Sequence, residues 1–384
     1  QSWRTTRLCN APSSIGKRVD CKANVPDTQS VLRCLCRSFT AVRAKESGLR
    51  LDTGAGVFDT TRMQQLFDVI ARLRVLVVGD LMLDHYVWGD ASRLSPEAPV
   101  PIVKVGHDAY TAGGAANVAA NLRALGVATE VAGVFGADTY GRLLQANLAE
   151  RGVSCDAACC CEHAATIVKT RVMCRNQQLC RIDREDRPEA YAMPAASVEA
   201  LRGRIAAADA VILSDYAKGV VTSELIRRVQ GMARPGQIVA LDPKPRPDLH
   251  FTRVTVMTPN RGEALQLAGL TSAEGKAFPG AEVAARIHER FAPEHLVVTL
   301  GADGMLLSTG GRPGRHLATA AREVFDVSGA GDTVIATLAA ALAAGADIER
   351  AAALANLAAG VVVGKLGTAT ATPAEMLAHA SKGV

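Results

Sequence analysis

Aromatic side chains are scarce in this chain, at 4% of its 384 residues. Long apolar runs are missing too. The charge-free stretches 333–346 and 351–364 fall short of the roughly 20 residues a membrane helix needs, and they carry Thr or Asn. No membrane partner is expected. The ten cysteines include no Cys-x-x-Cys pair and no paired Cys/His spacing of the zinc type. Between a metal site at Cys159–His163 and scattered reduced thiols, the second reading is preferred. No Gly-x-Gly-x-x-Gly opens a helix after a first strand, so a dinucleotide fold is unsupported. The run Gly360-Val361-Val362-Val363-Gly364-Lys365-Leu366 is not a P-loop. Three residues rather than four separate its glycines, and Leu366 stands where Ser or Thr would ligate magnesium.

Net charge is missing from most of the chain as well. The formal net charge is +5, and all of it lies in residues 1–60, where ten Lys and Arg face five acids. The remaining residues carry equal numbers of each sign. The excess is therefore no argument for a nucleic-acid partner, and none is expected. Residues 1–60 show neither strand alternation nor a helical apolar stripe. A transit peptide is conceivable there, but a disordered or non-native extension over 1–62 is preferred, with the folded body running from Met63 to Val384. The 48% hydrophobic content, 21% charge and 34 glycines exclude collagen, a coiled coil, a disulfide miniprotein and a wholly disordered chain.

What is present is a series of short β-branched runs at Val75–Val78, Glu130–Phe135, Ala210–Leu213, Ile238–Leu241, Val254–Met257 and Leu296–Thr299. Amphipathic or Ala-rich stretches follow most of them, which predicts βαβ units and a mainly parallel central sheet flanked by helices. The runs are almost continuously apolar, as for strands covered on both faces. Polar residues follow them: Gly79-Asp80, Ser214-Asp215, Asp242-Pro243-Lys244, Thr258-Pro259-Asn260 and Leu300-Gly301. Ligands of open α/β sheets bind at that carboxyl edge. Tyr86–Gly89 and Pro101–Val105, around a polar loop at Asp90–Pro99, and a hairpin at Thr166–Asp183 predict a separate small lid sheet. The lid segments span about 86–105 and 166–183. On the first arm of the hairpin Ile167, Lys169, Arg171 and Met173 share one face.

Two motifs carry chemistry. Asp326-Val327-Ser328-Gly329-Ala330-Gly331-Asp332-Thr333 precedes an apolar helix. Small residues there let backbone N–H groups meet an anion at a helix N-terminus. A carboxylate beside such a hole, Asp332, suits a base that accepts a hydroxyl proton during phosphoryl transfer, although capping alone also places Asp there. Thr111-Ala112-Gly113-Gly114-Ala115-Ala116-Asn117 opens a second helix near Ala115, with Asn117 in its first turn able to bond a sugar hydroxyl.

Gly113-Gly114 and Asp326-x-x-Gly329-Ala330-Gly331-Asp332, in that order and about two hundred residues apart, resemble the two signatures of the ribokinase-like (PfkB) carbohydrate kinases. The resemblance runs from about Val75 to the C-terminus. Within that family, the runs from Gly79 to Asp84, Arg93 to Pro101, Ser214 to Gly219 and Val363 to Thr370 are similar to D-glycero-β-D-manno-heptose 7-phosphate kinases. The resemblance implies an ATP- and magnesium-dependent phosphotransferase acting on the anomeric O1 of that sugar phosphate, in ADP-heptose synthesis for lipopolysaccharide. Some such kinases carry a fused nucleotidyltransferase, and this chain resembles the single-function kind.

The resemblance also implies roles. Asp332 would be the base, with Gly329, Ala330 and Gly331 as its anion hole. Asn260, Arg261, Gly262 and Glu263 match an Asn-x-x-Glu element serving phosphates and, indirectly, magnesium. Thr299, Gly301 and Asn356 would line the nucleotide. Asp84, Gly113, Gly114 and Asn117 would hold the sugar. Charge and position, rather than a family motif, select Lys169, Arg171 and Arg181 for the 7-phosphate, with Lys218 and Lys244 as alternatives. A cytoplasmic enzyme, dimeric through its lid, is the expected setting. The alternatives are another ribokinase-like sugar or nucleoside kinase, a catalytically silent sugar-binding protein, and a basic-tailed nucleic-acid binder.

Overall fold

The computed structural model describes residues 60–155, 159–175, 177–271 and 277–381. The expected N-terminal extension lies outside the described residues as far as 59. Thr60, Thr61 and Arg62 form the first turn of helix α1 (Thr60–Ile70), which buries Met63, Phe67 and Ile70.

After α1 come β1 (Arg74–Gly79), β2 (Leu81–Leu94), β3 (Pro101–Gly114), α2 (Ala115–Ala124), β4 (Ala128–Ala132), β5 (Phe135–Gly136) and α3 (Thr139–Glu150). Then follow β6 (Ser154–Cys155), β7 (Cys160–Cys161), β8 (Ile167–Cys174), β9 (Gln177–Arg184), α4 (Ala195–Ala200), α5 (Arg202–Ala207), β10 (Ala210–Ser214), α6 (Ser223–Met232), β11 (Ile238–Asp242) and β12 (Val256–Met257). The chain continues through α7 (Arg261–Leu267), α8 (Gly280–Phe291), β13 (His295–Thr299), β14 (Met305–Thr309), β15 (Arg312–Leu317), α9 (Ala330–Ala343), α10 (Ile348–Val362) and α11 (Pro373–Ser381).

The main sheet has the order β15-β14-β13-β12-β11-β10-β1-β4-β6. Its pairs from β13 to β6 are all parallel. The central strands β1 and β10 are almost wholly buried, as the continuous apolar runs predict for a sheet covered on both faces. The smaller sheet, β3-β2-β8-β9, is the expected lid.

Several boundaries differ from the sequence reading. The polar stretch Asp90–Pro99 is not a loop up to Leu94: β2 and β3 are fourteen residues each, and only 95–100 separate them. β2 starts in the core at Leu81–Leu83 and ends in solvent, and two register shifts, at Trp88/Gly89 and Ala91/Arg93, break its alternation. A period-2 pattern is thus invisible along it. The Glu130–Phe135 run splits into β4 and the short β5, which pairs with β7. Val254–Met257 shrinks to two residues of strand. The antiparallel edge hairpin β14–β15 is an addition.

Helices α2 and α9 bring the site together. Both are rich in Ala and buried over most of their length, as for helices apolar on nearly all sides. Small side chains let their axes approach, so polar groups in their first turns meet across the contact.

Candidate active site

The carboxyl edge of the sheet gathers four acids. At the end of β1, buried Asp80 accepts three backbone N–H bonds, from Tyr216 (2.7 Å), Lys218 (3.1 Å) and Val220 (3.0 Å). At the end of β10, buried Asp215 pairs with Arg246 and accepts from the Ala217 amide at 2.8 Å. The two carboxylates fold the 215–220 loop around themselves. Burial, and the nearby Asp215 charge, push Asp80 up to about 6 against the three N–H bonds. Asp242, at the end of β11, accepts from the Thr258 hydroxyl at 3.1 Å. Burial first, then the charges of Glu263 and Asp332, hold it well above the usual carboxylate range.

The fourth acid is Asp332, in the first turn of α9. Its Oδ2 accepts from Asn117 Nδ2 at 2.8 Å and its Oδ1 from the Tyr216 hydroxyl at 2.7 Å. One helical turn on, Asn121 Nδ2 donates to the Asn117 backbone carbonyl at 2.9 Å and reaches the Asn117 side-chain Oδ1 at 3.4 Å, while Asn121 Oδ1 accepts from Thr333 Oγ1 at 2.8 Å. Burial dominates at Asp332 and raises it to about 6, while the two donors pull it back. A carboxylate poised there is mostly ionised at neutral pH and still a useful proton acceptor.

The turn before α9 is shaped by Asp326. Its oxygens accept from the amides of Ser328 (2.8 Å) and Gly367 (3.0 Å), so it ties the loop to the 363–370 segment. Gly329 caps the helix with φ of 78°. A Cβ there would lie 2.6 Å from Asn117 Nδ2, so glycine is required both for the backbone and for the amide that holds Asp332. Ala330 N–H donates to the Val327 carbonyl at 3.2 Å. Of the three amides expected in the anion hole, this one is already engaged by a long bond that an incoming anion would displace.

Asn117, expected on the sugar, turns its amide nitrogen to Asp332. Gly113, the penultimate residue of β3, packs against Asp84: a Cβ at that position would sit 2.8 Å from Asp84 Oδ2. Gly114 caps α2 with φ of 56°. Asp84, on β2, is buried and paired with Arg171 NH1 at 2.6 Å. Lid register places Lys169 beside Asp84, and Arg181 and Asp183 opposite Arg171 and Lys169. The cations chosen for a phosphate therefore carry carboxylate partners. Arg181 bonds Asp183 at 2.8 Å, Lys169 approaches it at 3.7 Å, and Lys218 pairs with Glu185 at 2.7 Å. Burial first, then the Lys218 charge, lower Lys169 against the pull of Asp183 and Glu185.

Asn260 and Glu263 form a reciprocal capping box on α7. Asn260 Oδ1 accepts from the Glu263 amide at 3.0 Å, and Glu263 Oε2 accepts from the Asn260 amide at 2.8 Å. Glu263 Oε1 takes Lys244 Nζ. Lys244 in turn lies 5.4 Å from the Tyr216 ring. Gly262 is the second residue of α7, and Arg261 turns outward to Asp303. Thr299 bridges to Asn260 at the end of β13, and Gly301 opens the turn beyond with φ of 65°. Asn356 secures α10 to the Ala318 carbonyl through a 2.6 Å bond. Among the described residues, no group of three His, Cys, Asp or Glu could hold a metal ion, which includes Cys159–His163, and no helix is long and apolar enough to cross a membrane.

Sequence reasoning passed over Tyr216, Asp80 and Asp242 as site residues. All three follow strands whose ends are polar, and that position was the available signal.

A parallel sheet with a β lid, and a buried carboxylate on a glycine-led helix N-terminus beneath it, define a small-molecule kinase fold. Residues 72–375 match the pfkB family of carbohydrate kinases, and the chain belongs to that family. It is 45% identical over 310 residues to the D-beta-D-heptose 7-phosphate kinase of Bordetella bronchiseptica, covering 80% of this chain and 96% of that one. It is 44% identical over 317 residues to the bifunctional protein HldE of Desulfatibacillum aliphaticivorans, where it spans 82% of this chain but 64% of the relative. Among solved structures, Arabidopsis thaliana ribokinase complexed with ribose and ATP superposes with a TM-score of 0.59 at 21% identity, over 80% of this chain and 99% of that one.

Proposed function

We propose that the protein is a sugar kinase that transfers the γ-phosphoryl group of ATP to the anomeric O1 of D-glycero-β-D-manno-heptose 7-phosphate, giving the 1,7-bisphosphate used for ADP-heptose and lipopolysaccharide. The observation that carries the reading is Asp332, buried at the N-terminus of α9 with both oxygens held by neutral donors. The Bordetella relative's name supports the choice of sugar.

In this reading the sugar lies between Asp84, Gly113 and Gly114 on one side and Asp332 on the other. Asp332 takes the O1 proton as O1 bonds to the γ-phosphorus, and the bond to the β,γ-bridging oxygen breaks to leave ADP. Each carboxylate oxygen keeps one lone pair beyond its present donor. Gly329, Ala330 and Gly331 present N–H groups and the helix dipole to the transferring group. The chain's task is alignment and charge stabilisation more than covalent chemistry.

Lys169, Arg181 and Lys218 exchange a carboxylate for the 7-phosphate when substrate arrives. The lid closes over the sugar and keeps water from the phosphoryl group. Thr299, Gly301 and the Asn260–Glu263 element form the nucleotide side. Both Glu263 oxygens are engaged, by the Asn260 amide and by Lys244; magnesium would be held there indirectly by Glu263, with Asp242 adding negative charge nearby. When bound, it neutralises charge on the phosphates. The exposed strand β9 is the proposed lid contact of a homodimer, and the enzyme is proposed to be cytoplasmic.

The test is ADP release by purified protein given ATP, magnesium and heptose 7-phosphate, alongside Asp332→Asn. Sugar-dependent turnover is expected in the wild type. In the variant, turnover is lost and ATP binding by calorimetry retained. Near-normal turnover in the variant refutes the base, and sugar binding without any wild-type turnover favours a silent sugar-binding protein.

A further inference from the structure

We infer that Tyr216 is a positioning residue for phosphoryl transfer: its hydroxyl holds the Asp332 carboxylate, and Asp80 holds Tyr216 by clamping the 216–220 loop. The inference rests on the reading of Asp332 as the base, and it assigns the reason for the loop's unusual construction.

The loop is over-determined. Asp80 takes three of its amides, including that of Tyr216 itself at 2.7 Å, and Asp215 takes a fourth, from Ala217. Ala217, next to Tyr216, is a non-glycine residue with φ of 55°. A conformation of that kind persists only where its surroundings impose it. Gly219 packs so closely that a Cβ would lie 1.8 Å from the Pro188 carbonyl oxygen. Two buried acids, one strained alanine and one crowded glycine thus define the backbone on either side of one side chain. That side chain delivers a 2.7 Å bond to Asp332 Oδ1. Burial and the Asp332 charge hold the Tyr216 phenol well above its ordinary value, so it remains a donor throughout the working pH range.

The groups facing Asp332 come from four elements. Asn117 donates from α2 and Tyr216 from the loop after β10. The Asp84 charge on β2 raises Asp332, and the Lys244 charge after β11 lowers it. Asp242, at the end of β11, is coupled to it by repulsion. Against that background the Tyr216 hydroxyl does two things. It fixes the direction of the carboxylate, and it favours the ionised form that can accept a proton.

The test is the pH dependence of kcat/KM for wild type, Tyr216→Phe and a ring-fluorinated tyrosine at 216, whose hydroxyl is a stronger donor. Titration of the substrates is common to all three and cancels in the comparison. The acid limb is expected near pH 6 in the wild type. Loss of a hydrogen bond to a charged group is expected to move it up by about one pH unit in Tyr216→Phe. That is a loss of roughly fivefold at pH 6 and of less than about twofold at pH 8.5. The fluorinated tyrosine, which preserves the fold if phenylalanine does not, is expected to move the limb down. A uniform loss with an unmoved limb in both variants, while Asp332→Asn is inactive, overturns the inference and spares the base. Turnover in Asp332→Asn overturns the base and the inference with it.

Discussion

Asp332→Asn should make the protein more stable as it makes it inactive, and the gain should grow with pH. Burial raises the folded-state value of Asp332 from 3.8 to about 6. The folded protein therefore binds this proton more tightly than the unfolded chain does. The stability so contributed is present in full below about pH 4 and is lost as pH rises through about 6. A shift of about two units corresponds to roughly 3 kcal/mol. Asparagine carries no charge to desolvate, and its amide still finds both partners: Asn117 donates to its oxygen, and the Tyr216 hydroxyl turns to accept from its nitrogen. Asp80, Asp84, Asp215 and Asp242 are raised as well, so the wild-type curve alone mixes several titrations. The difference between variant and wild type isolates Asp332. Unfolding free energies from urea titrations between pH 4 and 8 measure it. The variant's advantage should increase by about 2–3 kcal/mol across that range, with most of the change between pH 4.5 and 6.5. A difference that stays flat or shrinks with pH would refute the claim that Asp332 is buried at the expense of stability.

Three further outcomes follow from the geometry. Gly329→Ala forces a Cβ against the Asn117 amide and leaves alanine at a φ of 78°; kcat should fall roughly tenfold or more, measured by ADP release, with a smaller loss of about 1–2 kcal/mol in urea stability. Arg171→Ala strands buried Asp84 and should cost about 3–5 kcal/mol, whereas Asp84→Asn with Arg171→Ala should cost clearly less; equal costs in denaturant titrations would mean that the pair is not coupled. Lys169→Ala should raise KM for a phosphorylated sugar about tenfold or more, the size of one charge-assisted bond, and leave KM for ATP within about twofold; a matching change for both substrates would remove Lys169 from the phosphate site.

Much of the architecture was legible because strands covered on both faces write continuous apolar runs, and β1, β10, β11 and β13 do so. The carboxyl-edge rule then located Asp80, Asp215 and Asp242 on one side of the sheet without any knowledge of their partners. The lid was legible in outline only. β2 leaves the core and enters solvent within one strand, and its register shifts erase the alternation on which a strand assignment depends. Asp332 and the glycines before it were visible as a local motif. Asn117 was visible, but its bond to Asp332 was not, because that bond spans 215 residues and depends on how closely α2 and α9 pack. Tyr216 is the clearest omission. Nothing in Ser214-Asp215-Tyr216 says that a tyrosine will reach a helix formed more than a hundred residues later. The cations of the lid were found by charge, but their carboxylate partners follow from the register of β8 on β2 and β9.

The central claim is that this member of the pfkB family phosphorylates a sugar that already carries a phosphate. Phosphorus NMR of the products formed from ATP and magnesium tests it most directly, with heptose 7-phosphate, unphosphorylated heptose, ribose, fructose and fructose 6-phosphate offered in parallel. The account predicts a new anomeric phosphate on heptose 7-phosphate and little or no product from the unphosphorylated sugars. Preferential phosphorylation of an unphosphorylated sugar would contradict it.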